Sequence, residues 1–334
     1  VDYDGTASSL LVEPERTNLI TYSNNFTDSS WTKLGAGTGS TSVVTSNYAI
    51  SPDGTQNATR LVCDLNGGTT TSDQSLIYDL DSSNTSQSIS IYIKSNTGSN
   101  QNIYFANTFG TGDTAIVTSE WQRFEFNHST SNHTFSLGLR GNTGADNTAD
   151  VLIWAAQSEN GSYPTSYIPT DGGTVTRVQD QYSKTGISNL INSEEGVLFL
   201  EMAALTITNS GNAAISVSDG STTNRIFINY SSSTNVVKFQ SVVGGVQAAF
   251  MQYTLTDITI QQKIAFRWDG TIFSVFIDGN LKGSDDRGLS FTSGTLNTLG
   301  LNRGSAAEYF VGKVKQLQVF KTALTDPELV TLTT

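Results

Sequence analysis

Apolar and polar residues alternate along most of this chain, as they do in β-strands that bury one face and leave the other in water. The alternation is clear over residues 88–94 and 263–268. Asp-Gly pairs separate several such segments and supply the positive φ angles that tight turns require. Two of these pairs, at 269–270 and 278–279, flank residues 271–277, so the pattern predicts a hairpin there.

One helix is predicted, over residues 325–330, because Thr325 can cap its first turn and Pro327 fits within that turn. Many short strands with regular turns and almost no helix are typical of β-sandwiches. The sequence therefore predicts an all-β chain of two antiparallel β-sandwich (jelly-roll) domains in tandem.

A break in the strand pattern divides the chain. Two prolines and a diglycine make residues 162–180 unsuitable for a central strand, and a new strand pattern begins at Gly196. We therefore predict a first domain over residues 1–180, of which 162–180 form the linker, and a second domain over residues 181–334. Each half is long enough for its own core, and we expect the two to fold separately.

Composition narrows the possible partners. The 334 residues carry 18 Lys and Arg against 30 Asp and Glu, a net charge of −12, while 37% are hydrophobic. The sparse cationic residues argue against nucleic acid as a partner, since phosphate binding needs clustered Lys and Arg. No apolar run approaches the ~20 residues of a membrane span, so membrane insertion is not expected.

Cys63 is the only cysteine, so no intrachain disulfide can form, and we expect it to be a small buried residue. A chain without disulfides fits folding in a reducing cytoplasm. The first residue is Val1 rather than Met, which predicts a processed product or an excised fragment.

Several segments resemble those of one group of proteins. Four segments, with Phe26 and Trp31, resemble those that bracket a carbohydrate-binding-module-like jelly roll in bacteriophage tail and fibre proteins; they are residues 10–23, 153–159, 163–170 and 174–177. Three more resemble the concanavalin A-like, laminin G-like sandwiches of the same proteins; they are residues 266–270, 275–279 and 312–329.

This resemblance implies a non-catalytic virion appendage, a tail-fibre or receptor-binding fragment that adheres to glycan on the host cell surface. It also implies other virion proteins as partners, a homo-oligomer that is a trimer by analogy, and assembly of the virion in the host cytoplasm. Two alternatives stay open. One is a structural capsid, head-fibre or decoration protein, and the other is the extracellular carbohydrate-binding portion of a secreted polysaccharide-degrading enzyme.

The chain lacks the patterns typical of catalytic sites in sandwich enzymes. A retaining glycosidase needs two carboxylates about 5 Å apart, whereas the adjacent Glu194 and Glu195 would point to opposite sides of a strand. His128 and His133 fall in a polar turn without an evident third metal ligand. We therefore expect no enzymatic activity and no cofactor.

Calcium is the one cation for which the sequence offers candidate loops. Residues 51–57 and 217–221 contain Asp and other oxygen-bearing side chains, but a β-turn explains each loop equally well. No metal-binding residue is assigned.

A glycan site combines an accessible aromatic ring with planar polar groups on an open surface. If the apolar residues of three strands face the core, alternation puts four side chains on the wet face: Tyr92, Lys94, Tyr104 and Arg140. If those strands are neighbours in one sheet, the four residues form one candidate site. The alternative is that they are ordinary surface residues on different sheets. Three other aromatic residues match core positions of the resembled proteins and are expected to be buried: Trp31, Trp121 and Trp154.

Overall fold

The computed structural model describes residues 2–3, 8–80, 86–106, 112–128, 134–207, 213–305 and 308–334. From the N-terminus, its strands are β1 Asp2–Tyr3, β2 Ser8–Val12, β3 Arg16–Asn18, β4 Thr32–Ala36, β5 Val43–Ala49, β6 Ala58–Asp64, β7 Gln74–Leu80, β8 Gln87–Ser95, β9 Gln101–Ala106, β10 Asp113–Val117, β11 Gln122–His128, β12 Thr134–Arg140, β13 Thr148–Asn160 and β14 Val175–Arg177.

The second part of the chain continues the β pattern and ends on a helix. Its elements are β15 Ser183–Lys184, β16 Glu195–Ala203, β17 Ala214–Ser218, β18 Arg225–Tyr230, β19 Val236–Val243, β20 Val246–Thr254, β21 Gln262–Asp269, β22 Ile272–Ile277, β23 Asn280–Asp286, β24 Thr298–Gly300, β25 Gly312–Phe320 and the helix α1 Asp326–Thr333.

The first compact unit is Glu15–Val178. Two five-stranded antiparallel sheets form it, with strand orders β10-β9-β12-β7-β4 and β11-β8-β13-β6-β5. Side chains from both sheets fill the core, among them Ile91, Phe105 and Leu137, which are at most 3% exposed. Strands β8 and β9 follow one another in sequence but belong to opposite sheets.

The second compact unit joins Val1–Pro14 to Gln179–Thr334. It contains a seven-stranded sheet, β1-β2-β25-β16-β21-β22-β23, and a six-stranded sheet, β15-β24-β17-β18-β19-β20. Phe239, Phe266 and Phe273 are fully buried in the core of this unit. The tandem β-sandwich fold predicted from the alternation is therefore confirmed.

The predicted hairpin and helix are also present. Strand β22 pairs with both β21 and β23, and Asp278 and Gly279 turn the chain with φ angles of 46° and 73°. Helix α1 begins after Thr325, whose N–H and Oγ1 both donate hydrogen bonds to Glu328 Oε2, at 2.8 and 2.7 Å. No helix in the described part of the chain is long and apolar enough to cross a membrane.

The two unit boundaries differ from the sequence-based division. Strand β2 pairs with β25, and Val12 is fully buried in the second core, so residues 1–14 belong with the second unit. Residues 162–178 are part of the first unit rather than a linker, because β14 pairs with β3. Prolines exclude a central strand but do not prevent a segment from packing on a sheet. Separate folding of the two halves stays a prediction.

Burial agrees with expectation for Cys63 and Trp31, which are 2% and 1% exposed. Burial raises the pKa of the Cys63 thiol to about 12, so this residue behaves as an apolar group. The expected burial of Trp121 is wrong, since it lies partly exposed in the loop before β11.

The N-terminal segment generates a test. Glu13 N donates to the Asp180 side-chain oxygen Oδ2 at 2.9 Å, and Asp180 N donates to Glu13 O at 3.1 Å. The two residues are therefore close enough for a short Gly-Ser linker to connect residues 1–14 directly to residues 179–334. We expect this linked fragment to melt several degrees above residues 179–334 alone in differential scanning calorimetry, because burial of Val12 contributes about 1.5–3 kcal/mol. Equal melting temperatures would show that β2 adds nothing to the second unit.

Candidate functional site

The structure divides the four predicted glycan-binding residues between two sheets. Tyr92 and Lys94 lie on β8, whereas Tyr104 lies on β9 and Arg140 on β12 of the opposite sheet. The alternation itself is right, since Ile91 and its neighbours fill the core. The assumption that the three strands are neighbours is wrong, because β8 belongs to one sheet and β9 and β12 belong to the other. This fold has no single face that contains all four residues.

Tyr104 is also less accessible than expected. It faces away from the main core but is 1% exposed and packs with Leu76 and Ala106 in a small apolar cluster. The guanidinium carbon of Arg140 lies 5.8 Å from the Tyr104 ring centroid. A ring buried in this way offers no face on which a sugar could stack.

Tyr92 is half-buried in an aromatic cluster on the other sheet. Its ring centroid lies 5.4 Å from that of Trp154, which in turn lies 5.1 Å from Tyr167. Trp154 is 8% exposed, so it is buried as expected, but on the outer face of the sheet rather than in the main core. Residues after β13 therefore take part in covering this sheet face.

The segments that carry the resemblance form a buried hydrogen-bonded network in the first unit, which we call the closing network: Asn18, Gln157, Glu159, Thr165 and Ile168. Asn18 Nδ2 donates to Ile168 O at 2.8 Å, and Gln157 Oε1 accepts from Ile168 N at 2.6 Å. Glu159 Oε2 accepts from Thr165 N at 2.7 Å. Asn18, Gln157 and Glu159 are all 0% exposed.

The closing network explains why the recognisable residues occur together. The network ties the first strand of the unit, the last long strand and residues 165–168, which are far apart in sequence. Buried polar groups need partners of this kind, since an unsatisfied one costs about 1–3 kcal/mol. These residues therefore stabilise the sandwich, and the sequence motifs do not themselves mark a ligand site.

In both candidate calcium loops, the aspartate oxygens accept hydrogen bonds from residues of the same loop. Asp53 Oδ1 accepts from Ser51 Oγ at 2.7 Å and from Thr55 N at 2.8 Å, and these hydrogen bonds lower the pKa of Asp53 to about 2. Asp219 Oδ1 accepts from Ser221 N at 2.8 Å and from Ser221 Oγ at 2.6 Å. Both loops have the geometry of Asp-stabilised turns. Across the described ranges, no three His, Cys, Asp or Glu residues are grouped as metal ligands.

The residues considered for catalysis are only partly described. Glu195 begins β16, where its Oε2 accepts from Ala323 N at 3.1 Å, and Glu194 is exposed. His128 ends β11, and its side chain lies outside the described residues, as does the whole of residue 133.

The two outer faces of the second sandwich differ in character. On the seven-stranded sheet, helix α1 covers an apolar face, where Leu329 packs with Phe199 and Phe276. On the six-stranded sheet, strand β18 alternates between core residues such as Ile228 and outward residues that include Arg225. The seven-stranded sheet therefore has an apolar cover, and the six-stranded sheet has a polar outer face.

Five residues on the outer side of this sheet form what we call the guanidinium face: Ser216, Arg225, Phe227, Asn229 and Arg303. Only the two arginines are partly exposed, whereas the other three residues are at most 2% exposed. The guanidinium carbons of Arg225 and Arg303 lie 4.8 and 5.0 Å from the Phe227 ring centroid. Ser216 Oγ and Asn229 Oδ1 are buried and have no hydrogen-bond partner among the described residues. Such unpaired groups on one face suit a site that holds water or ligand.

In both Arg225 and Arg303, one terminal guanidinium nitrogen donates hydrogen bonds to other groups of the protein. Arg225 Nη1 donates to Arg303 O at 2.7 Å, and Arg303 Nη1 contacts both carboxylate oxygens of Glu308 at 2.8 and 3.0 Å. The Nη2 groups make no hydrogen bond to any residue in the described part of the chain. Burial, and secondly the nearby Arg303, lower the pKa of Arg225. An anion at this position would offset both effects.

A groove of about 310 Å³ adjoins the guanidinium face. Tyr182 and Tyr309 line it together with the polar residues Thr298 and Asn302, and Tyr182 is 43% exposed. Gly304 connects the groove to the face, because a Cβ atom there would lie 3.1 Å from Arg225 Cδ and 2.8 Å from Ser221 O. An aromatic rim with amide and hydroxyl groups is suited to a saccharide.

Sequence reasoning missed the guanidinium face, although strand β18 carries a signal for it. With Ile226, Ile228 and Tyr230 facing inward, alternation places Arg225 and Phe227 outward. A phenylalanine on an outward position beside arginine departs from the usual polar surface strand. The contribution of Arg303 comes from a distant loop and could not be read from the pattern.

Comparison with known proteins supports the fold of the second unit. Residues 203–330 match the family model described as the concanavalin A-like lectin/glucanases superfamily. This match lies within the second unit, for which the resemblance implied a concanavalin A-like sandwich. No curated protein matches the chain.

Solved structures give weaker likenesses. The CBM40 module of a Ruminococcus gnavus IT-sialidase, bound to α2,3-sialyllactose, shares 16% identity over 46% of this chain and 98% of its own, with a TM-score of 0.35. Domain 4 of the Geobacillus stearothermophilus arabinanase AbnA, in complex with arabinotriose, shares 14% identity over 48% and 77%, with a TM-score of 0.35. Mouse laminin α1 domains LG4-5 share 10% identity over 96% of both chains, with a TM-score of 0.29. These scores support no argument about a ligand.

The closing network predicts a stability effect. Asn18→Ala should destabilise the first unit by about 3 kcal/mol, because it leaves several buried backbone groups without a partner. In calorimetry of the full chain, one transition should move to lower temperature by about 2–4 °C for each kcal/mol lost. Asn127→Ala is the matched control, since Asn127 is exposed on β11. Equal effects of both substitutions would contradict the role assigned to the network.

Proposed function

We propose that this protein is a non-catalytic glycan-binding protein, and that its second sandwich binds saccharides bearing a carboxylate or sulfate group. The observation that carries the proposal is the pair of guanidinium groups beside Phe227, next to a groove rimmed by Tyr182 and Tyr309. The match of residues 203–330 to a lectin and glucanase superfamily supports the glycan class of ligand.

The chemistry of the site favours an acidic substituent. Arginine Nη groups donate charge-assisted hydrogen bonds to anions. These hydrogen bonds are about twice as strong as hydrogen bonds between neutral groups. The Nη2 groups of Arg225 and Arg303 make no internal bond within the described residues, so both can serve a ligand. The tyrosines and the Thr298 and Asn302 side chains can then contact the sugar ring and its hydroxyls.

A binding role fits the site better than catalysis does. Glu308 is the carboxylate beside the two arginines, and both of its oxygens already contact Arg303. General acid or base catalysis needs a carboxylate oxygen that is free to reach the substrate. Binding without turnover is therefore the activity we propose.

The biological setting rests on sequence resemblance. Residues 10–23 and 312–329 resemble phage tail and fibre proteins, which supports a virion appendage that attaches to host-surface glycan and associates with other virion proteins as a trimer. A structural head-fibre or decoration protein is the alternative in the same setting. The binding portion of a secreted polysaccharide-degrading enzyme is the alternative outside it.

The proposed site predicts a dependence on both arginines. Arg225→Gln and Arg303→Gln should each weaken binding of an acidic oligosaccharide about tenfold or more, because a hydrogen bond to a charged group contributes about 1.5–3 kcal/mol. The measurement is isothermal titration of the full chain with oligogalacturonate, with its carboxyl-reduced form, and with a sulfated oligosaccharide. The carboxyl-reduced form should bind wild type more weakly, and every sugar should be recovered uncleaved.

The control is Arg287→Gln, which removes an exposed arginine paired with Asp285 in the same unit. It should leave binding unchanged. Equal affinity for oligogalacturonate and its reduced form would contradict the acidic preference. Binding that survives both Arg225→Gln and Arg303→Gln would contradict the site itself.

A further inference from the structure

The first sandwich contains a polar pocket that the closing network and the acidic-glycan site leave unexplained. This amide pocket has a volume of about 630 Å³ and is open to solvent. Four asparagines, three hydroxyl residues, one aspartate and one proline line it: Asn24, Asn25, Asn47, Asn57, Thr27, Ser46, Thr170, Asp171 and Pro169. Its volume is in the range of small-molecule sites.

The floor of the pocket is fixed by the fold. Strand β13 has a bulge at Ala155, whose φ is 60°, and its N–H donates to Asn24 Oδ1 at 2.8 Å. Thr170 Oγ1 donates to Ile20 O at 2.7 Å. The positions of these polar groups are therefore set before any ligand arrives, which lowers the entropic cost of binding.

The upper part of the pocket offers hydrogen-bonding groups to a ligand. Asn25, Thr27 and Asn47 are exposed, and Asn47 has a φ of 53° where the pairing of β5 with β6 is irregular. Asn57 Nδ2 donates to Asp53 Oδ2 at 3.1 Å, whereas its Oδ1 is buried and lacks a partner among the described residues. A ligand hydroxyl could donate to that oxygen.

The lining selects a class of ligand. No Lys or Arg lines the pocket, and Asp171 is its only carboxylate, so neither an anion nor a divalent cation has the partners it needs. Amide groups both donate and accept, as sugar hydroxyls do. We propose that the amide pocket is a second saccharide site, which takes a neutral oligosaccharide through direct hydrogen bonds to asparagine side chains.

The test uses the full chain and a defined panel of neutral oligosaccharides, namely gluco-, manno-, xylo- and arabino-hexaoses, in saturation-transfer NMR and calorimetric titration. At least one should bind with a dissociation constant of about 10 mM or tighter. Ser46→Trp, which fills the pocket, should weaken that binding at least about tenfold. Asn47→Gly, which keeps the positive φ and removes only the amide, should weaken it several-fold.

Two controls separate this site from others. Ser99→Trp adds the same ring to an exposed loop and should leave affinity unchanged. Arg225→Gln should also leave neutral-sugar binding unchanged, so that failure of the acidic-glycan proposal and failure of this one are distinguishable. The inference is overturned if no panel member binds up to about 10 mM, if binding survives Ser46→Trp, or if EDTA abolishes binding.

Discussion

Each sheet in a β-sandwich has two faces, and only one of them can be buried against the partner sheet. The other face must be covered by another element, made polar for water, or used for binding. This constraint governs the described part of both units. Trp154 and Tyr167 form an aromatic cluster on one outer face of the first unit, and Tyr104 lies in an apolar cluster on the other. In the second unit, α1 covers the outer face of the seven-stranded sheet, and the guanidinium face lies on the six-stranded sheet.

The charges of the guanidinium face run against those of the whole protein. The chain carries a net charge of −12, yet Arg225 and Arg303 lie against the same aromatic ring. The repulsion between distant carboxylates of the protein and an acidic ligand falls off within a Debye length of about 8 Å at physiological ionic strength. The local attraction of two guanidinium groups therefore decides what binds there. The net negative charge affects chiefly the rate of encounter and its salt dependence.

How far the sequence predicted the structure depended on the range of the interaction. Alternation at Ile89, Ile91 and Ile93, and the turn at Asp278-Gly279, are local features, and both were predicted correctly. The placement of Tyr92 and Tyr104 on one sheet was wrong, because alternation fixes which side of a strand faces the core but not which strands are neighbours. The partnership of Asn18 with Ile168 likewise spans the whole unit. The segments that contain these residues were recognisable in the sequence, but the sequence did not show that they are hydrogen-bonded to each other.

The central claim is that Arg225 and Arg303 together bind an acidic saccharide. The most direct measurement is an NMR titration of the full chain with oligogalacturonate that follows the arginine Nε–Hε resonances. The account predicts saturable shifts of the Arg225 and Arg303 resonances with a common dissociation constant, while that of Arg60, bound to Asp150 in the first unit, stays in place. Shifts confined to other arginines, or no saturable shift of these two, would contradict it.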